Sequence, residues 1–533
     1  MIPFVSMVVS ILPSRRSVID EDEIVGLWTN AHGQFRHIDW SNPMTESRDD
    51  LAWLFALEPE KGGLERQIYR QILTAILDRR LAPGARLPAS RALGASLGVS
   101  RGTVVAAFDQ LVAEGYLEAR TGSGTAVAAL PDELLKAPGD AGATLRRTPA
   151  PSQRSADFAR SRTRGGLEPR CFQAGMPSID DFPRKEWSRC LAARARTIRA
   201  AEMTYDHGSG LPILRQAIAT YLNRARGVVA GPDQVVVLPS AQAGFSISAF
   251  CIADPGEVIA MEDPGYHNAR TIFIGSGARV APVPVDGEGI DVGALAAVPD
   301  FRLVAVTPSH QYPTGVTMSL ERRLRLLDLV SERGAFVLED DYDSEFRYAE
   351  RPIASLQGLD GGHNVIYLGT FSKSLAPGIR AAYLVLPESL AGTIALAAPG
   401  IGQIVSGQVQ AALADFINEG YLTAHVGRMR GIYAEKSRVL VESLREFLPE
   451  GCTVPTPRGG LQLLVPLPDR ADDMAICATL AAAGIEARPL SALSVNAGGK
   501  GLFLGFALPH LDEIAPAAKR LAVVVADHLR GIR

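Results

Sequence analysis

Six short apolar runs between residues 234 and 386 constrain this chain more than any other feature. They lie at 234–239, 257–261, 303–307, 335–339, 364–368 and 382–386, and stretches of helical periodicity separate most of them. Apolar, β-branched runs read as strands buried on both faces, and their alternation with helices predicts a mainly parallel α/β sheet. In such sheets, ligands gather beyond the C-terminal strand ends, and the polar motifs fall there. The first run leads into Pro239-Ser240-Ala241-Gln242, which opens a helix whose first N–H groups, on Ala241 and Gln242, suit a phosphate. The second ends at Glu262-Asp263-Pro264-Gly265-Tyr266, where Tyr266 is placed to stack on a flat ring, although a lone tyrosine also serves simple packing. The third ends in the polar turn Pro308-Ser309-His310-Gln311-Tyr312-Pro313-Thr314-Gly315.

The fourth run ends at Glu339-Asp340-Asp341-Tyr342-Asp343. Carboxyls clustered at a buried strand end need a cationic partner or must shift their pKa. A pyridinium nitrogen is such a partner for Asp340, with Tyr342 in reach of a ring hydroxyl. The fifth run leads into Gly369-Thr370-Phe371-Ser372-Lys373-Ser374-Leu375-Ala376-Pro377-Gly378-Ile379-Arg380. A lysine in a tight, partly dry turn has a depressed pKa and attacks an aldehyde to form a Schiff base. Thr370, Ser372 and Arg380 can hold a phosphate beside it. A lysine aldimine beside a phosphate cradle is what pyridoxal 5'-phosphate requires. A polar turn with a solvated lysine is the alternative that this stretch alone leaves open.

At 533 residues the chain is too long for one core. Its net charge of −4 offers no whole-chain attraction to nucleic acid or membrane. No apolar run approaches the ~18 residues of a membrane span. Five scattered cysteines without CxxC spacing fit a reducing, cytoplasmic compartment and argue against a zinc site. Residues 1–62 are expected to form an N-terminal extension. Met44 begins a more ordinary sequence, so residues 1–43 are read as of doubtful translation.

Residues 63–128 carry a different pattern. Leu64, Ile68, Ile72, Ala75 and Ile76 share a helix face. Pro88 and Ser90 open a second helix closed by Gly98, and Ser100 caps a third in which Val104, Ala107, Phe108 and Leu111 recur. Two short strands about Thr121-Gly122-Ser123-Gly124 then make a hairpin. This is a winged helix-turn-helix layout. From Leu64 to Val127 there are eight Arg against five Asp and Glu. These arginines fit a DNA-facing surface or, more plainly, a solvated one. By position, Ser100, Arg101 and Thr103 begin the recognition helix, with Arg101 suited to a bidentate guanine contact. Arg86 and Arg91 suit phosphates, Ser90 is a further expected DNA contact at the start of the second helix, and Gly122, Ser123 and Gly124 suit the minor groove. Residues 129–168 read as a Pro/Ala/Arg linker with six arginines and one aspartate between Arg146 and Arg164, either spacer or non-specific DNA contact.

The runs Pro83-Gly84-Ala85-Arg86-Leu87-Pro88-Ala89-Ser90-Arg91, Leu97-Gly98-Val99-Ser100-Arg101-Gly102-Thr103-Val104, Glu114-Gly115-Tyr116-Leu117 and Gly122-Ser123-Gly124-Thr125 resemble the winged helix of GntR-family bacterial regulators. Residues 169–533, on the motifs around Asp340, Lys373 and Arg380, resemble fold-type-I aminotransferases. That resemblance implies Lys373 as the Schiff-base lysine, Asp340 as partner of the pyridine nitrogen and Tyr342 as the ring-hydroxyl contact. It implies Tyr266 stacked on the ring, and Thr370, Arg380, Ala241 and Gln242 on the phosphate, with Tyr205 reaching the phosphate of a partner subunit. Two departures stand out. Tyr312 replaces the Asn usual before Pro-Thr-Gly, and Phe503 stands where aminotransferases carry the arginine that grips a substrate carboxylate. Arg488 is the nearest substitute, so Arg488 and Tyr312 become expected effector contacts. Both departures favour cofactor binding without efficient transamination.

A winged helix followed by such a domain, with Trp53 and Phe55 before it, resembles the MocR (GabR-like) branch of GntR regulators. The resemblance implies a regulator that binds an operator in double-stranded DNA and senses an amine, an amino acid or pyridoxal phosphate itself through an aldimine on Lys373. It also implies a homodimer with swapped winged helices. The rival readings are a working aminotransferase with a vestigial winged helix, and a DNA-binding protein whose degenerate large domain no longer holds the cofactor.

Overall fold

Helix α1 (Leu64–Leu77) buries Ile68, Ile72, Ala75 and Ile76, the stripe its periodicity marks. They meet α3 (Arg101–Ala113), which buries Val104, Ala107, Phe108 and Leu111. Between them α2 (Ser90–Leu97) ends at a left-handed Gly98. The Ser100 hydroxyl accepts the Thr103 N–H at 3.1 Å and fixes the start of α3. Strands β1 (Leu117–Arg120) and β2 (Gly124–Val127) pair antiparallel, Leu117 opposite Val127, and form the wing. This computed structural model describes residues 54–58, 60, 62–120, 124–131, 150–161, 170–197, 199, 203, 208–348, 354–496 and 498–531. Gly122, Ser123, Trp53, Tyr205, all of 1–43 and most of the expected linker lie outside them.

The first unit extends further back than the boundary expected at residue 63. Leu54 is buried in its core, with Phe55 and Leu57 packed alongside. The Gln71 amide brackets Ala56, accepting its N–H and donating to its carbonyl, both at 2.8 Å. Two glutamines on one helix face (Gln67 makes the same pair with Glu58) strap this segment down.

The chain divides into two units, the second beginning at Ala150. Inside the expected linker a helix, α4 (Gln153–Ser161), is found. It is followed by α5 (Arg184–Thr197) and α6 (Pro212–Arg226). An eight-stranded sheet then forms from β3 (Val235–Leu238), β4 (Val258–Asp263), β5 (Arg279–Asp286), β6 (Gly289–Ile290), β7 (Phe301–Val306), β8 (Phe336–Asp341), β9 (Val365–Thr370) and β10 (Ala382–Val385). Its order is β3-β10-β9-β8-β7-β4-β5-β6. Strands β9, β8, β7, β4 and β5 run parallel, while β10 is antiparallel to β9 and β3, and β6 to β5. All six predicted strands are present and the mainly parallel sheet is as expected.

Alternate residues of this sheet feed two cores. Val236, Leu238, Ile366, Leu368 and Leu384 face α7 (Ala241–Ile252) and α8 (His267–Ser276). Val235, Val237, Tyr367, Tyr383 and Val385 face α6. Helix α7 sits so close to the sheet that a Cβ on Gly244 would lie 2.6 Å from Leu368 Cδ1. That glycine sets the height of the α7 N-terminus over the strand ends. Helix α4 packs on α8, where a Cβ on Gly275 would meet Phe158 Cδ2 at 3.3 Å. A smaller antiparallel sheet, ordered β11-β13-β12, comprises β11 (Gln462–Leu467), β12 (Arg488–Pro489) and β13 (Lys500–Gly505). Among the described residues no helix is long and apolar enough to cross a membrane.

Candidate functional site

The C-terminal ends of β3, β8 and β9 open on a cavity of about 470 Å³. Every residue assigned to the cofactor from sequence lines it, apart from Tyr205, which is outside the described residues. Lys373 lies in the short helix Phe371–Ser374, begun by Thr370, whose hydroxyl accepts the Ser372 N–H at 3.1 Å. The Lys373 ammonium donates to the Gly175 carbonyl. Burial holds its pKa below the usual lysine range, although Asp343 and Asp340 pull the other way. A lysine so placed keeps a neutral, nucleophilic fraction.

Asp340, next to last on β8, has its Oδ1 buried with no hydrogen-bond partner. Burial, reinforced by Asp341 and opposed by Lys373, pushes its carboxyl up to about 8. An orphaned buried acceptor costs about 1–3 kcal/mol, and a ring N–H aimed at Oδ1 would remove that cost. Tyr342 donates its hydroxyl to the His310 carbonyl at 3.1 Å and accepts from Gln462 at 3.3 Å. Tyr266 precedes α8, its ring centroid 5.3 Å from that of Tyr312 and its hydroxyl held by Asn268 at 3.1 Å.

At the α7 N-terminus the Ser240 hydroxyl takes the Ala243 N–H at 3.1 Å, so the N–H groups of Ala241 and Gln242 remain for a ligand at the cavity wall. Arg380 completes this end from a left-handed backbone (φ 55°, ψ 51°), a conformation uncommon for a non-glycine residue. Orphaned carboxyl oxygen, enclosed amine, aromatic wall and anion-binding helix end together fit a planar pyridine bearing an aldehyde and a phosphate.

At another part of the wall, Arg488 on β12 stands opposite Phe503 on β13 in the strand register. Its Nη1 lies 3.4 Å from the Tyr312 hydroxyl, and the Phe503 and Tyr312 ring centroids are 4.9 Å apart. The cavity thus carries a guanidinium one strand away from the phenylalanine. Gln173, Ala174, Gly175, Asn268 and Gln462 also line it and were missed from sequence. No motif marks them; only the fold returns these distant segments to Lys373.

In the first unit, Ser100 caps α3, Arg101 and Thr103 occupy its first turn, and Ser90 and Arg91 begin α2. Arg86 forms an antiparallel bridge to Ala126, and Gly124 starts β2 with φ 83°. Arg86, Arg91 and Arg101 are exposed.

Residues 64–127 match the bacterial regulatory proteins of the gntR family, and residues 181–503 match aminotransferase class I and II. Across both, the chain is 39% identical over 431 residues to the probable rhizopine catabolism regulatory protein MocR of Rhizobium meliloti, covering 80% of this chain and 86% of that protein. This chain belongs to the MocR branch of the GntR regulators. Another MocR-type relative, the pyridoxine biosynthesis transcriptional regulator PdxR of Corynebacterium glutamicum, is 33% identical, with 84% and 92% of the two chains covered. The large unit is also similar to the crystal structure of LysN, an α-aminoadipate aminotransferase of Thermus thermophilus complexed with N-(5'-phosphopyridoxyl)-L-leucine. The TM-score is 0.63 and the identity 27%, over 71% of this chain and 96% of that one. This MocR-type chain is a DNA-binding transcription regulator whose cofactor is pyridoxal 5'-phosphate.

Proposed function

We propose that this regulator senses a small amine or amino acid, or pyridoxal phosphate itself, in the cavity around Lys373, and converts occupancy into altered DNA affinity. The observation that carries the reading is the buried, unpartnered Asp340 Oδ1 in the same cavity as the enclosed Lys373 amine. When bound, pyridoxal phosphate supplies an aldehyde that condenses with amines. Lys373 presents the amine that anchors it, and Asp340 accepts the ring N–H and keeps that proton in place. Tyr342 orients the ring hydroxyl and Tyr266 covers a face. Thr370, Arg380 and the N–H groups of Ala241 and Gln242 hold the phosphate, with Tyr205 of a second copy completing it. Arg488 and Tyr312 contact the effector.

The winged helix, residues 63–128 with the strap before it, reads the operator. Arg101, supported by Ser100 and Thr103, contacts bases, Arg86, Ser90 and Arg91 contact phosphates, and Gly122, Ser123 and Gly124 approach the minor groove. The protein acts in the cytoplasm as a homodimer with exchanged winged helices, so a change in the large unit (169–533) alters the pair that meets DNA. Such control requires that the effector bind the two states with different affinity. Borohydride reduction of purified protein followed by peptide mapping tests the anchor. A pyridoxyl group on the peptide containing Lys373 is expected; an unmodified Lys373 in coloured protein refutes it.

A further inference from the structure

A second cavity, of about 580 Å³, lies between α6 and the helix Tyr421–Phe447. Four arginines line it, Arg224, Arg226, Arg347 and Arg430, against one carboxyl side chain, Glu345. Arg226 is already neutralised, its Nε 2.8 Å from Asp341 with both side chains buried. Arg430 donates Nε and Nη2 to the Glu345 carbonyl at 3.1 and 2.8 Å, a neutral partner. Among the described residues, no carboxylate lies within 4 Å of Arg224 or Arg430. Glu345 does little to cancel them, because burial beside Asp341 holds its carboxyl up to about 8. A concave wall with uncompensated guanidinium groups concentrates positive potential, and the guanidinium fork matches carboxylate and phosphate oxygens.

The stretch from Asp340 to Arg347 lines both cavities. Asp340 and Tyr342 face Lys373, while Ser344, Glu345 and Arg347 face the arginine-rich space. A ligand that draws on the second face therefore acts on the segment that supplies Asp340 to the first. We propose that this cavity binds a small organic polyanion, a compound with two or more carboxylate or phosphate groups, and that its occupancy is coupled to the cofactor cavity. The coupling rests on the cofactor reading above; the binding does not.

The test is calorimetric titration of the full-length, cofactor-loaded chain with citrate and, separately, with inorganic pyrophosphate. Saturable binding of either, one per chain, is expected, and the preferred probe tells carboxylate from phosphate chemistry. Arg224→Glu is expected to weaken binding at least about tenfold, roughly the loss of one charge-assisted contact. That variant should leave the visible spectrum unchanged, since Arg224 is exposed and outside the cofactor cavity. Arg430→Lys, which keeps the charge but not the fork, is expected to lose less. Saturating anion is expected to shift the Kd for pyridoxal phosphate about fivefold or more, and the shift to vanish in Arg224→Glu.

No saturable heat up to roughly 10 mM of either probe, an unchanged Kd in both variants, or a cofactor Kd indifferent to the anion overturns the proposal. So does anion binding that disappears on cofactor loading, because it then belongs to the phosphate end of the first cavity. Borohydride labelling of Lys373 does not depend on Arg224, so failure here leaves the cofactor reading standing.

Discussion

Asp340 and Asp341 are neighbours on β8, yet their carboxyls shift in opposite directions. Asp341 is buried but held below the ordinary carboxylate range by Arg226 and by hydrogen bonds from Tyr367 and Ser344. Asp340, buried without a donor on Oδ1, is pushed up to about 8. In the cofactor-free protein the folded state thus holds a proton that the unfolded chain, with a carboxyl pKa of ~3.9, has already released. This contribution is fully present below about pH 4 and is lost as pH rises through about 8. Asp340→Asn is expected to raise the Tm of cofactor-free protein at pH 8 by about 2–4 °C per kcal/mol relieved, with little gain at pH 4. The same variant should bind pyridoxal phosphate about 1.5–3 kcal/mol more weakly. Calorimetric melting at both pH values decides it, and an equal gain at both refutes the linkage.

Lys373→Ala removes the amine proposed to anchor the cofactor. The purified variant is expected to lose the visible absorbance and the effector response while retaining basal operator binding. In wild type, burial of Lys373 predicts that cofactor capture by the cofactor-free chain speeds up with pH and levels off below the ordinary lysine pKa of ~10.4. Stopped-flow absorbance measures both. Steady turnover of an amino acid with an oxo acid at ~1 s⁻¹ or faster would instead mark the chain as a working enzyme.

Arg488→Leu separates effector classes. Effectors carrying a carboxylate are expected to bind about 1.5–3 kcal/mol more weakly, the value of a hydrogen bond to a charged group, while simple amines and the cofactor itself keep their affinity. Titration of cofactor absorbance with an amino acid and with its decarboxylated analogue reads the difference. Equal losses for the two would remove Arg488 from the effector contacts.

On the DNA side, Arg101→Ala is expected to cost about 1–3 kcal/mol of specific binding and to relax preference at one base position. Arg91→Ala should instead weaken all sequences alike and reduce the salt slope by about 1. Fluorescence anisotropy over a salt series distinguishes them. Ser100→Ala, which deletes the hydroxyl that accepts the Thr103 N–H, should cost about 0.5–2 kcal/mol of stability, read by urea unfolding.

Sequence periodicity revealed the strands buried on both faces because Val236, Ile366 and their neighbours leave no ambiguity about burial. It missed β5, where Pro282 and Pro284 discourage a strand assignment. Most of β5 pairs only with β4, so those prolines withhold their missing N–H from no second partner. It also missed α4, in which Phe158 is the one large apolar residue and whose place on α8 comes from packing around that ring. The residues that line the Lys373 cavity were legible where polar groups cluster locally, as at Asp340–Tyr342 and Thr370–Arg380. Gly175 and Gln462 were not, since neither is unusual until the fold closes around Lys373.

The pairing of Arg488 with Phe503 across two short strands bears on how relatives of this chain should be compared. Aligned column by column, it looks deprived of its acid-gripping side chain. On the proposed reading of Arg488 as an effector contact, the charge would be relocated to the neighbouring strand rather than deleted. If Arg488→Leu weakens carboxylate effectors as expected, sorting such proteins by the residue at position 503 alone would misfile this one, because the adjoining strand furnishes the charge.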